Sequence, residues 1–454
     1  ETGEEQAPVV TSAPEATAPA AASQPASESF TVLVGGIDIG QLEVEHGEEG
    51  SRIDYEYRNN GRGPSIRESV IFGESGLPQR WTIAGNTTFG NEVDERFILE
   101  NGEASWKDST GTGTASPAAE SLYVAQDSSP YALWIYARAL LADEDHEMPV
   151  LPGGTLRLDR IEDMAMQGPG GEVKVTAYAL SGIDLNPTYF LLDENENFFA
   201  VMSPRFAIVR EGFEPEDERI RALAEEYSAQ RFETIQAKVA RTFEAPVRIT
   251  NVYVFDPATL SRTGPVSVQV DGNRIAGVLP VDAPLEEGEL LIDGQGGTLV
   301  AGMYEMHAHL GQYHALLNIA AGVTSVRDLG NNNDVLSGVI EKIESGVLAG
   351  PRVTRSGFIE GKNPYSSNNG ELVSSQEEAV AAVRRYATGE FYQVKIYNSM
   401  NPEWVPARVE EAHKNGMKVA GHVPAFSNAD AMIAAGYDEL THINQVMLGW
   451  VLEE

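Results

Sequence analysis

Two of the scarce histidines in this chain have a spacing that suits metal chemistry. Only eight of the 454 residues are histidine, and His307 and His309 stand one residue apart at the end of the apolar run "TLVAGMYEMHAH". Alternate residues of a strand share a face, so we expect both imidazoles to project together. Two buried imidazoles side by side are costly unless a partner shares their lone pairs, and a divalent metal ion does so. A single His-X-His pair is a weak signal.

Later apolar runs also end in histidine. "KVAGH" ends in His422, and "ELTH" ends in His442, so four of the six histidines after residue 300 fall at predicted strand ends. The other two, His314 and His413, lie in helix-like segments. We interpret His413 as a surface residue of a helix, and His314 either as a residue that supports the site or as ordinary packing.

A lysine occupies an unusual position in the run "QVKIY". Val394 and Ile396 are apolar, so Lys395 must project to the opposite face of its strand, toward the same interior as the histidines. An isolated buried ammonium is expensive, so such a lysine is expected to be paired or neutral. The ordinary alternative is a salt bridge to Glu305 or Asp328.

The elements around these residues follow a repeated pattern from residue 298 onward. Apolar strands alternate with amphipathic helices, and this alternation predicts a parallel sheet, either open or closed into a barrel. The predicted strands are "TLVAGMYEMHAH", "VTSVRDL", "RVTRSG", "QVKIY", "KVAGH" and "ELTHI", and the predicted helices lie near 313–321, 333–346, 375–388, 403–415 and 428–435. Catalytic groups of such barrels collect at the carboxyl ends of the strands, where the histidines stand.

The first half of the chain has a different character. Residues 1–29 contain Ala, Pro, Ser, Thr and five Glu but no Lys or Arg, which predicts a disordered linker like that behind a processed bacterial secretion or lipoprotein signal. Residues 30–212 show short alternating runs between turn signals, "PYALWIYARALL" among them, which predicts an antiparallel all-β domain. We interpret His46 and His146, in "EVEHGEE" and "DEDHEM", as parts of solvated charge runs.

Two segments connect these halves. Residues 213–245 have apolar residues near helical spacing and predict a long connecting helix. Residues 246–300 read as strands joined by tight turns, including Asp-Gly at 271–272 and 293–294, and predict a small β-sandwich.

Composition excludes several classes of protein. The chain has 68 acidic and 32 basic residues, a formal charge of −36, which argues against nucleic acid or anionic lipid as a partner. With no cysteine there is no disulfide, no thiolate nucleophile and no zinc–sulfur site. The chain contains no run of 18 or more apolar residues, so the sequence predicts no membrane span.

The ordered motifs "TLVAGMYEMHAHL", "GVTSVRDLG", "VKIY", "KVAGHV" and "ELTHI" resemble the metal-dependent amidohydrolase superfamily, in particular its dipeptidase and imidazolonepropionase-like branch. The resemblance covers about residues 246–454 and implies a small β-sandwich followed by a (β/α)8 barrel, of which about six strands are present in 298–454.

The resemblance also implies a set of site residues. His307 and His309 match ligands of the first metal ion, and His422 and His442 match ligands of the second. Lys395 matches a lysine that carbon dioxide converts to a carbamate bridging both ions, and with His442 it is a candidate catalytic residue. Zinc is the ion that best suits these nitrogen and oxygen donors.

The implied activity is hydrolysis of an amide C–N bond by a hydroxide that bridges the metals, in a dipeptide, an N-acyl amino acid or a cyclic amide. Tyr365 and Tyr397 are candidates for substrate contact, although each is also an ordinary loop or strand aromatic residue. We expect an extracytoplasmic protein, and leave a lipid anchor upstream and a homo-oligomer open.

The sequence departs from the family pattern in two places. Glu305 stands where the family has Asp, and Ala301-Gly302 replaces Pro-Gly. Strands seven and eight, with the aspartate that takes the proton from the water, have no match before residue 454. We therefore expect the chain to be the inactive front portion of a longer enzyme.

Two other functions remain open at this stage. One is a pseudoenzyme or an extracytoplasmic binding protein that takes up a ligand, for example an apolar one, through the β domain. The other is a lyase or isomerase that uses Lys395 as a free amine. Metal content separates the first alternative from the hydrolase, and a carbamate on Lys395 excludes the second.

Overall fold

A computed structural model describes residues 25–451, apart from residues 60, 118, 365 and 368. Three sheets follow one another along this part of the chain, with 15, five and seven strands. Four clusters of buried apolar side chains form the cores in this part of the chain, two at the first sheet and two at the third, and one long helix contributes to one cluster of each.

The first sheet is an antiparallel meander whose strand order follows the chain from β8 back to β1 and then from β15 back to β9. Within this sheet only the pairing of β9 with β10, at one end, is parallel. Its elements are β1 (Ser27–Val34), β2 (Ile37–His46), β3 (Gly50–Tyr57), β4 (Ser65–Phe72), β5 (Pro78–Asn86), β6 (Glu92–Glu100), β7 (Glu103–Asp108), β8 (Gly111–Ala115), β9 (Leu122–Tyr123), α1 (Ala132–Leu141), β10 (Glu147–Leu151), β11 (Thr155–Gly168), β12 (Gly171–Ser181), β13 (Thr188–Asp193), β14 (Phe198–Met202) and β15 (Phe206–Arg210).

The segment "PYALWIYARALL" forms helix α1, so its prediction as a strand is wrong. Eight of its ten helical residues are buried, among them Trp134, Tyr136 and Leu140, and they fill the hollow of the curled sheet. A run that is apolar on every side has neither the period of a strand nor that of an amphipathic helix. Length decides here, because ten residues without Gly or Pro suit a buried helix.

Two further details differ from the sequence prediction in this region. Strand β1 begins at Ser27, inside the segment predicted as a linker, while residues 1–24 of that segment lie outside the described residues. His46 is not part of a solvated charge run. Its side chain is only 8% exposed, and its two ring nitrogens lie 2.8 Å from Ser51 Oγ and from Glu28 Oε1.

The predicted connecting helix is present as α2 (Asp217–Val239), after a 3-10 turn at Glu214–Glu216. Its first half packs on the β domain through Ile220, Ala224 and Tyr227. Its second half places Phe232 among apolar residues of the third sheet, including Leu310. One helix therefore holds the two larger units against each other.

The second sheet contains β16 (Val247–Asp256), β17 (Ser261–Asp271), β18 (Arg274–Pro280), β19 (Leu290–Asp293) and β20 (Thr298–Leu299). Asp271-Gly272 forms the predicted tight turn between β17 and β18, with Gly272 at φ +55°, which suits glycine. The chain leaves this sheet through β20 and passes directly into the strand that bears His307.

The third sheet is parallel, as predicted, and its main strands follow the order β21-β22-β23-β25-β26-β27, with β24 beside β23. Its elements are β21 (Met303–Ala308), α3 (Gln312–Ala320), β22 (Val323–Asp328), α4 (Asn333–Glu344), β23 (Arg352–Gly361), β24 (Glu371–Val373), α5 (Gln376–Thr388), β25 (Phe391–Ile396), α6 (Val405–Lys414, after a 3-10 turn at Pro402–Trp404), β26 (Lys418–Gly421), α7 (Ala429–Ala434), β27 (Glu439–Leu440) and α8 (Ile443–Val451). All five predicted helices are present to within a few residues.

This sheet curls strongly, like part of a barrel. Arg327 on β22 donates two hydrogen bonds of 2.6 Å to the carboxylate of Glu439 on β27, although three strands of the sheet lie between them. The edge strand β21 exposes about half of Met303, Tyr304 and Met306. Among the described residues, no helix is both long and apolar enough to cross a membrane.

Candidate functional site

The five residues predicted as metal ligands meet at one end of the curled sheet. His307 and His309 lie at the end of β21, Lys395 near the end of β25, His422 directly after β26, and His442 two residues after β27. The carboxyl ends of parallel strands face the same side of a sheet, which is why residues so distant in sequence converge.

Distances within this histidine–lysine cluster are short. The ring centroids of His307 and His309 are 5.3 Å apart, those of His307 and His442 are 4.9 Å apart, and those of His422 and His442 are 4.5 Å apart. Lys395 Nζ lies 3.5 Å from His307 Nε2. The five side chains therefore form one continuous group.

Burial controls the protonation of this cluster. Lys395 is 1% exposed, and burial lowers the pKa of its amine to about 8. Burial and, after it, the charge of Lys395 lower the pKa of His307 to about 3. The same two causes lower the pKa of His422 and of His442. Neutral imidazoles, which have a free lone pair, are the form that a metal ion binds.

The alternative considered for Lys395, a salt bridge to Glu305 or Asp328, is not formed. Among the described residues, no carboxylate oxygen lies within 4.0 Å of its Nζ. Asp328 instead accepts hydrogen bonds from Leu310 N, Gly330 N and Asn331 Nδ2, at 2.7, 3.0 and 2.9 Å. Glu305 is exposed and accepts from the backbone N of His307 at 2.7 Å.

Hydrogen bonds orient two of the rings. His309 Nδ1 lies 2.6 Å from the carbonyl oxygen of Gly330, which can only accept, so Nδ1 is the donor and Nε2 is the ring nitrogen left for a metal ion. His422 Nδ1 lies 2.6 Å from Asn398 Oδ1, and Gln445 Nε2 donates to the same oxygen at 3.1 Å. A carbonyl behind each ring is the usual support of a metal-binding histidine.

The nitrogen donors of the cluster suit divalent metal ions, but the side chains are not already arranged around one point. Among the described residues, no three His, Asp or Glu side chains are already grouped around one point closely enough to hold an ion. The fifth member of the cluster is an amine, which gains oxygen donors only when carbon dioxide modifies it. The histidines supply the nitrogen donors, and a modified Lys395 would supply the oxygen atoms between them.

The remaining sequence candidates have other positions. Tyr397 follows β25, and its ring centroid lies 4.0 Å from that of His422, so it borders the cluster. Tyr365 lies outside the described residues. His314 accepts from Gly311 N at 2.9 Å and caps α3. His413 lies on exposed helix surface and pairs with Asp438 at 2.9 Å, as predicted for a surface residue.

Several residues of the site were missed in the sequence. Asn398 and Gln445 support His422, and the paired charges of Arg327 and Glu439 lie near enough to Lys395 to act on its pKa. Asn398 stands directly after "VKIY", and Gln445 is three residues after His442, so adjacency to a predicted ligand was the available signal. The Arg327–Glu439 contact has no such signal, because it depends on the curvature of the sheet.

The site is therefore a histidine–lysine cluster at the carboxyl end of a parallel α/β sheet.

No family model and no curated protein matches the chain. Similar solved structures include a Xaa-Pro dipeptidase with bound methionine in its active site, with 24% identity over 43% of this chain and 61% of that one, and a TM-score of 0.37.

Two others are a prolidase of Bifidobacterium longum (22% identity, 44% of this chain, 54% of that one, TM-score 0.38) and an ochratoxinase of A. niger (18%, 44%, 60%, TM-score 0.35). The chain spans only 54–61% of the length of these three structures.

Proposed function

We propose that this chain supplies the metal-binding residues of an amidohydrolase that cleaves an amide C–N bond. One observation carries the proposal: His307, His309, Lys395, His422 and His442 form a single cluster although four different strands of the sheet present them. A buried amine without a carboxylate partner is the second unusual feature of the same cluster.

The proposal assigns a role to each ligand. His307 and His309 would hold one divalent ion, His422 and His442 would hold the other, and Lys395 as a carbamate would supply oxygen ligands to them. Zinc suits this donor set. When bound, two such ions activate water and polarise the scissile carbonyl group.

Lys395 has the chemistry that the carbamate requires. Its lowered pKa leaves part of the amine neutral near pH 8. A neutral amine adds to carbon dioxide and releases one proton, which gives an anionic carbamate. The buried cation thereby becomes an anion among neutral imidazoles, which favours binding of cations.

The substrate class proposed is a dipeptide, an N-acyl amino acid or a cyclic amide. Tyr397 lies against His422 at the border of the cluster, and we assign it to substrate contact. Residues 30–212 then serve as an accessory domain. An extracytoplasmic location also belongs to the proposal, supported by the composition of residues 1–29.

Metal content tests the proposal without requiring activity. The chain is stripped with a chelator, incubated with zinc and bicarbonate, and dialysed, and bound zinc is measured by mass spectrometry of the elements. We expect two ions per chain, and at most one after Lys395→Met or His309→Gln. The matched controls Lys418→Met and His413→Gln alter exposed residues paired with Asp438 and should keep both ions.

Absence of zinc from the wild-type chain, or equal zinc in Lys395→Met, would overturn the metal assignment. The mass of the Lys395 peptide separates the alternatives, because a carbamate adds the mass of carbon dioxide. Reductive trapping of an aldehyde or ketone at Lys395 by borohydride would instead favour an amine-dependent lyase. Amide hydrolysis itself is measured on the product of the complete reading frame.

The structure gives little support to the alternative in which the β domain binds an apolar ligand. Helix α1 and its aromatic neighbours fill the hollow of that sheet. A cleft of about 590 Å³ on the domain is lined by Glu43, Glu56, Glu211 and Glu214, which suit a polar or cationic ligand instead.

A further inference from the structure

A second group of residues able to do chemistry lies in the β domain, at the hairpin between β2 and β3. His46 and Ser51 are opposite each other in this hairpin, and His46 Nδ1 lies 2.8 Å from Ser51 Oγ. On the other side of the ring, Nε2 lies 2.8 Å from Oε1 of Glu28 on β1. A serine, a histidine and a carboxylate thus follow one another at hydrogen-bond distance, which is the order of groups in serine hydrolases.

Glu28 determines which ring nitrogen of His46 faces the serine as a base. The side chain of Glu28 is buried, and its Oε1 also accepts a hydrogen bond of 2.9 Å from the Tyr131 hydroxyl. An ionised carboxylate only accepts hydrogen bonds, so Nε2 of His46 is the donor and Nδ1 is the nitrogen left for Ser51. In the neutral ring, Nδ1 accepts from the Ser51 hydroxyl and is placed to take its proton.

This group opens onto a cleft. His46 and Ser51 both line a cleft of about 580 Å³, a volume in the range of sites for small molecules. Gly47, Gly50 and Gly73 are also on its wall, where no side chain of theirs narrows it. Ser51 is buried in the fold, so the cleft is the route by which a substrate reaches its hydroxyl.

An arginine of α1 gives the cleft a donor for negative charge that develops during a reaction. Arg138 lines the cleft, and its guanidinium carbon lies 4.8 and 5.6 Å from the ring centroids of Phe72 and Trp134. The Trp134 ring centroid is 6.0 Å from that of His46, so the guanidinium and the imidazole both contact the same indole. Arg138 forms no ion pair with a described carboxylate, and its N–H groups can therefore stabilise an oxyanion.

The charges on the cleft wall indicate which substrates can enter. Glu48, Glu49 and Glu74 line the cleft beside Arg138. Three carboxylates repel an anionic substrate but not an uncharged one. Phe72 adds an apolar surface on which a short acyl chain can pack. The cleft therefore suits a small uncharged ester.

We infer that Glu28, His46 and Ser51 form a second catalytic site, which hydrolyses small uncharged carboxylic esters through an acyl-serine intermediate. Ser51 Oγ bonds to the carbonyl carbon of the ester while His46 Nδ1 takes the hydroxyl proton. The C–O bond to the alcohol then breaks, and the alcohol leaves with that proton. Water attacks the acyl-serine, one of its protons returns through His46 to Ser51, and the carboxylic acid is released. No step uses a group of the histidine–lysine cluster.

Labelling of the nucleophile tests this site directly. The purified chain, with a chelator present to keep metal ions from the histidine–lysine cluster, is treated with a fluorophosphonate, which bonds to an activated serine oxygen and releases fluoride. Peptide mass spectrometry should find the phosphonate on Ser51. Turnover of methylumbelliferyl butyrate should fall by about 100-fold or more in Ser51→Ala. The matched control Ser69→Ala alters an exposed serine of β4 and should keep both the label and the turnover.

A cysteine substitution tests the role of His46 without a substrate. The chain has no cysteine, so Ser51→Cys carries a single thiol. Iodoacetamide alkylates the thiolate, and burial alone makes a thiol less reactive than an exposed one. We expect Ser51→Cys to be alkylated at least about tenfold faster near neutral pH than the exposed control Ser69→Cys, because His46 takes the thiol proton. Adding His46→Gln to Ser51→Cys should remove this advantage.

Urea denaturation first establishes that each variant is folded, so that a negative result concerns the site. Absence of the phosphonate from Ser51, or alkylation of Ser51→Cys no faster than that of Ser69→Cys, would overturn the inference. Ester turnover that persists in Ser51→Ala and disappears with the chelator would assign that activity to the histidine–lysine cluster and would also overturn it. The zinc content of Ser51→Ala should equal that of the wild type, so the proposed metal site and this serine site succeed or fail separately.

Discussion

Lys395 Nζ lies 3.5 Å from His307 Nε2, and no carboxylate among the described residues is close enough to pair with it. Burial lowers the pKa of both groups, and the charge of Lys395 lowers the pKa of His307 further. Such an arrangement costs stability unless a ligand uses it. The first prediction measures that cost.

Lys395→Met should stabilise the metal-free protein. The unfolded chain holds the lysine proton up to about pH 10.5 and the folded chain only up to about 8, so folding is penalised at every pH below about 8. This difference corresponds to about 3 kcal/mol, and we expect a gain of about 1–3 kcal/mol in the free energy of unfolding at neutral pH. Urea denaturation in the presence of a chelator measures it.

The control for this prediction is Lys418→Met. Lys418 is half exposed and pairs with Asp438 at 2.8 Å, so its replacement should change stability by less than about 1 kcal/mol and in the destabilising direction. If Lys395→Met lowers stability as a normal core substitution does, the amine has a favourable partner in the metal-free fold.

A buried carboxyl in the β domain predicts a dependence of stability on pH. Glu68 accepts from Trp81 Nε1 at 2.8 Å and from Ser129 N at 2.5 Å, and burial raises its pKa from 4.5 to about 7. The folded state therefore holds a proton that the unfolded state releases between pH 4.5 and about 7. Stability from this group is complete below pH 4.5 and is lost as the pH rises to about 7.

The comparison with Glu68→Gln isolates this contribution. Histidines with lowered pKa values, such as His314, act in the opposite direction over part of the same range, so the difference between the two proteins is the relevant quantity. The advantage of the wild type over Glu68→Gln should shrink by on the order of 3 kcal/mol across this range. A difference between the wild type and Glu68→Gln that stays constant across this range would contradict the prediction.

The metal-ligand candidates could be predicted because their signals are local. A histidine or lysine at the end of an apolar run is visible in a few residues, and the period of a strand indicates its face. His307, Lys395 and His422 are of this kind, and the structure brings them together. The helices between the strands were predictable for the same reason, since each has an amphipathic period of its own.

Features that depend on the path of the whole sheet could not be predicted. Arg327 meets Glu439 only because the sheet curls, and Arg205 meets the carbonyl oxygen of His309 only because the β domain packs on the third sheet. Helix α1 was missed because its residues are apolar on every side, so that burial and not periodicity decides its structure. In each case the tertiary environment, rather than the local sequence, determines the outcome.

His46 illustrates the same limit and gives a third prediction. Its acidic neighbours in "EVEHGEE" suggested exposure, yet its ring is buried between Glu28 and Ser51. His46→Ala removes hydrogen bonds to both and leaves the buried Glu28 carboxylate with less compensation. We expect a loss of about 2–4 kcal/mol in the free energy of unfolding. The exposed histidine variant His413→Ala should cost less than about 1 kcal/mol. An equally small effect of His46→Ala would show that water reaches the group formed by Glu28, His46 and Ser51.

Arg408 on α6 carries the last prediction. It is fully buried, and its three guanidinium nitrogens have no hydrogen-bond partner among the described residues. Burial lowers its pKa to about 10, and the nearby Tyr437 and Glu360 only partly oppose that effect. Each buried donor without a partner costs about 1–3 kcal/mol, and apolar replacements of buried charges are often stabilising.

Arg408→Met should therefore leave the free energy of unfolding unchanged or raise it by up to about 3 kcal/mol, as measured by urea denaturation. A double-mutant cycle with Glu360→Gln resolves the attraction between the two side chains. Because no Arg408 nitrogen lies within 4.0 Å of a described carboxylate oxygen, we expect a coupling energy below about 1 kcal/mol. The prediction is contradicted if Arg408→Met alone lowers the free energy of unfolding by more than about 2 kcal/mol and the coupling to Glu360 is strong. The guanidinium would then bind Glu360 through an ordered water molecule. In that case the pair stabilises the contact between α6 and the sheet, since breaking a buried ion pair leaves one charge uncompensated.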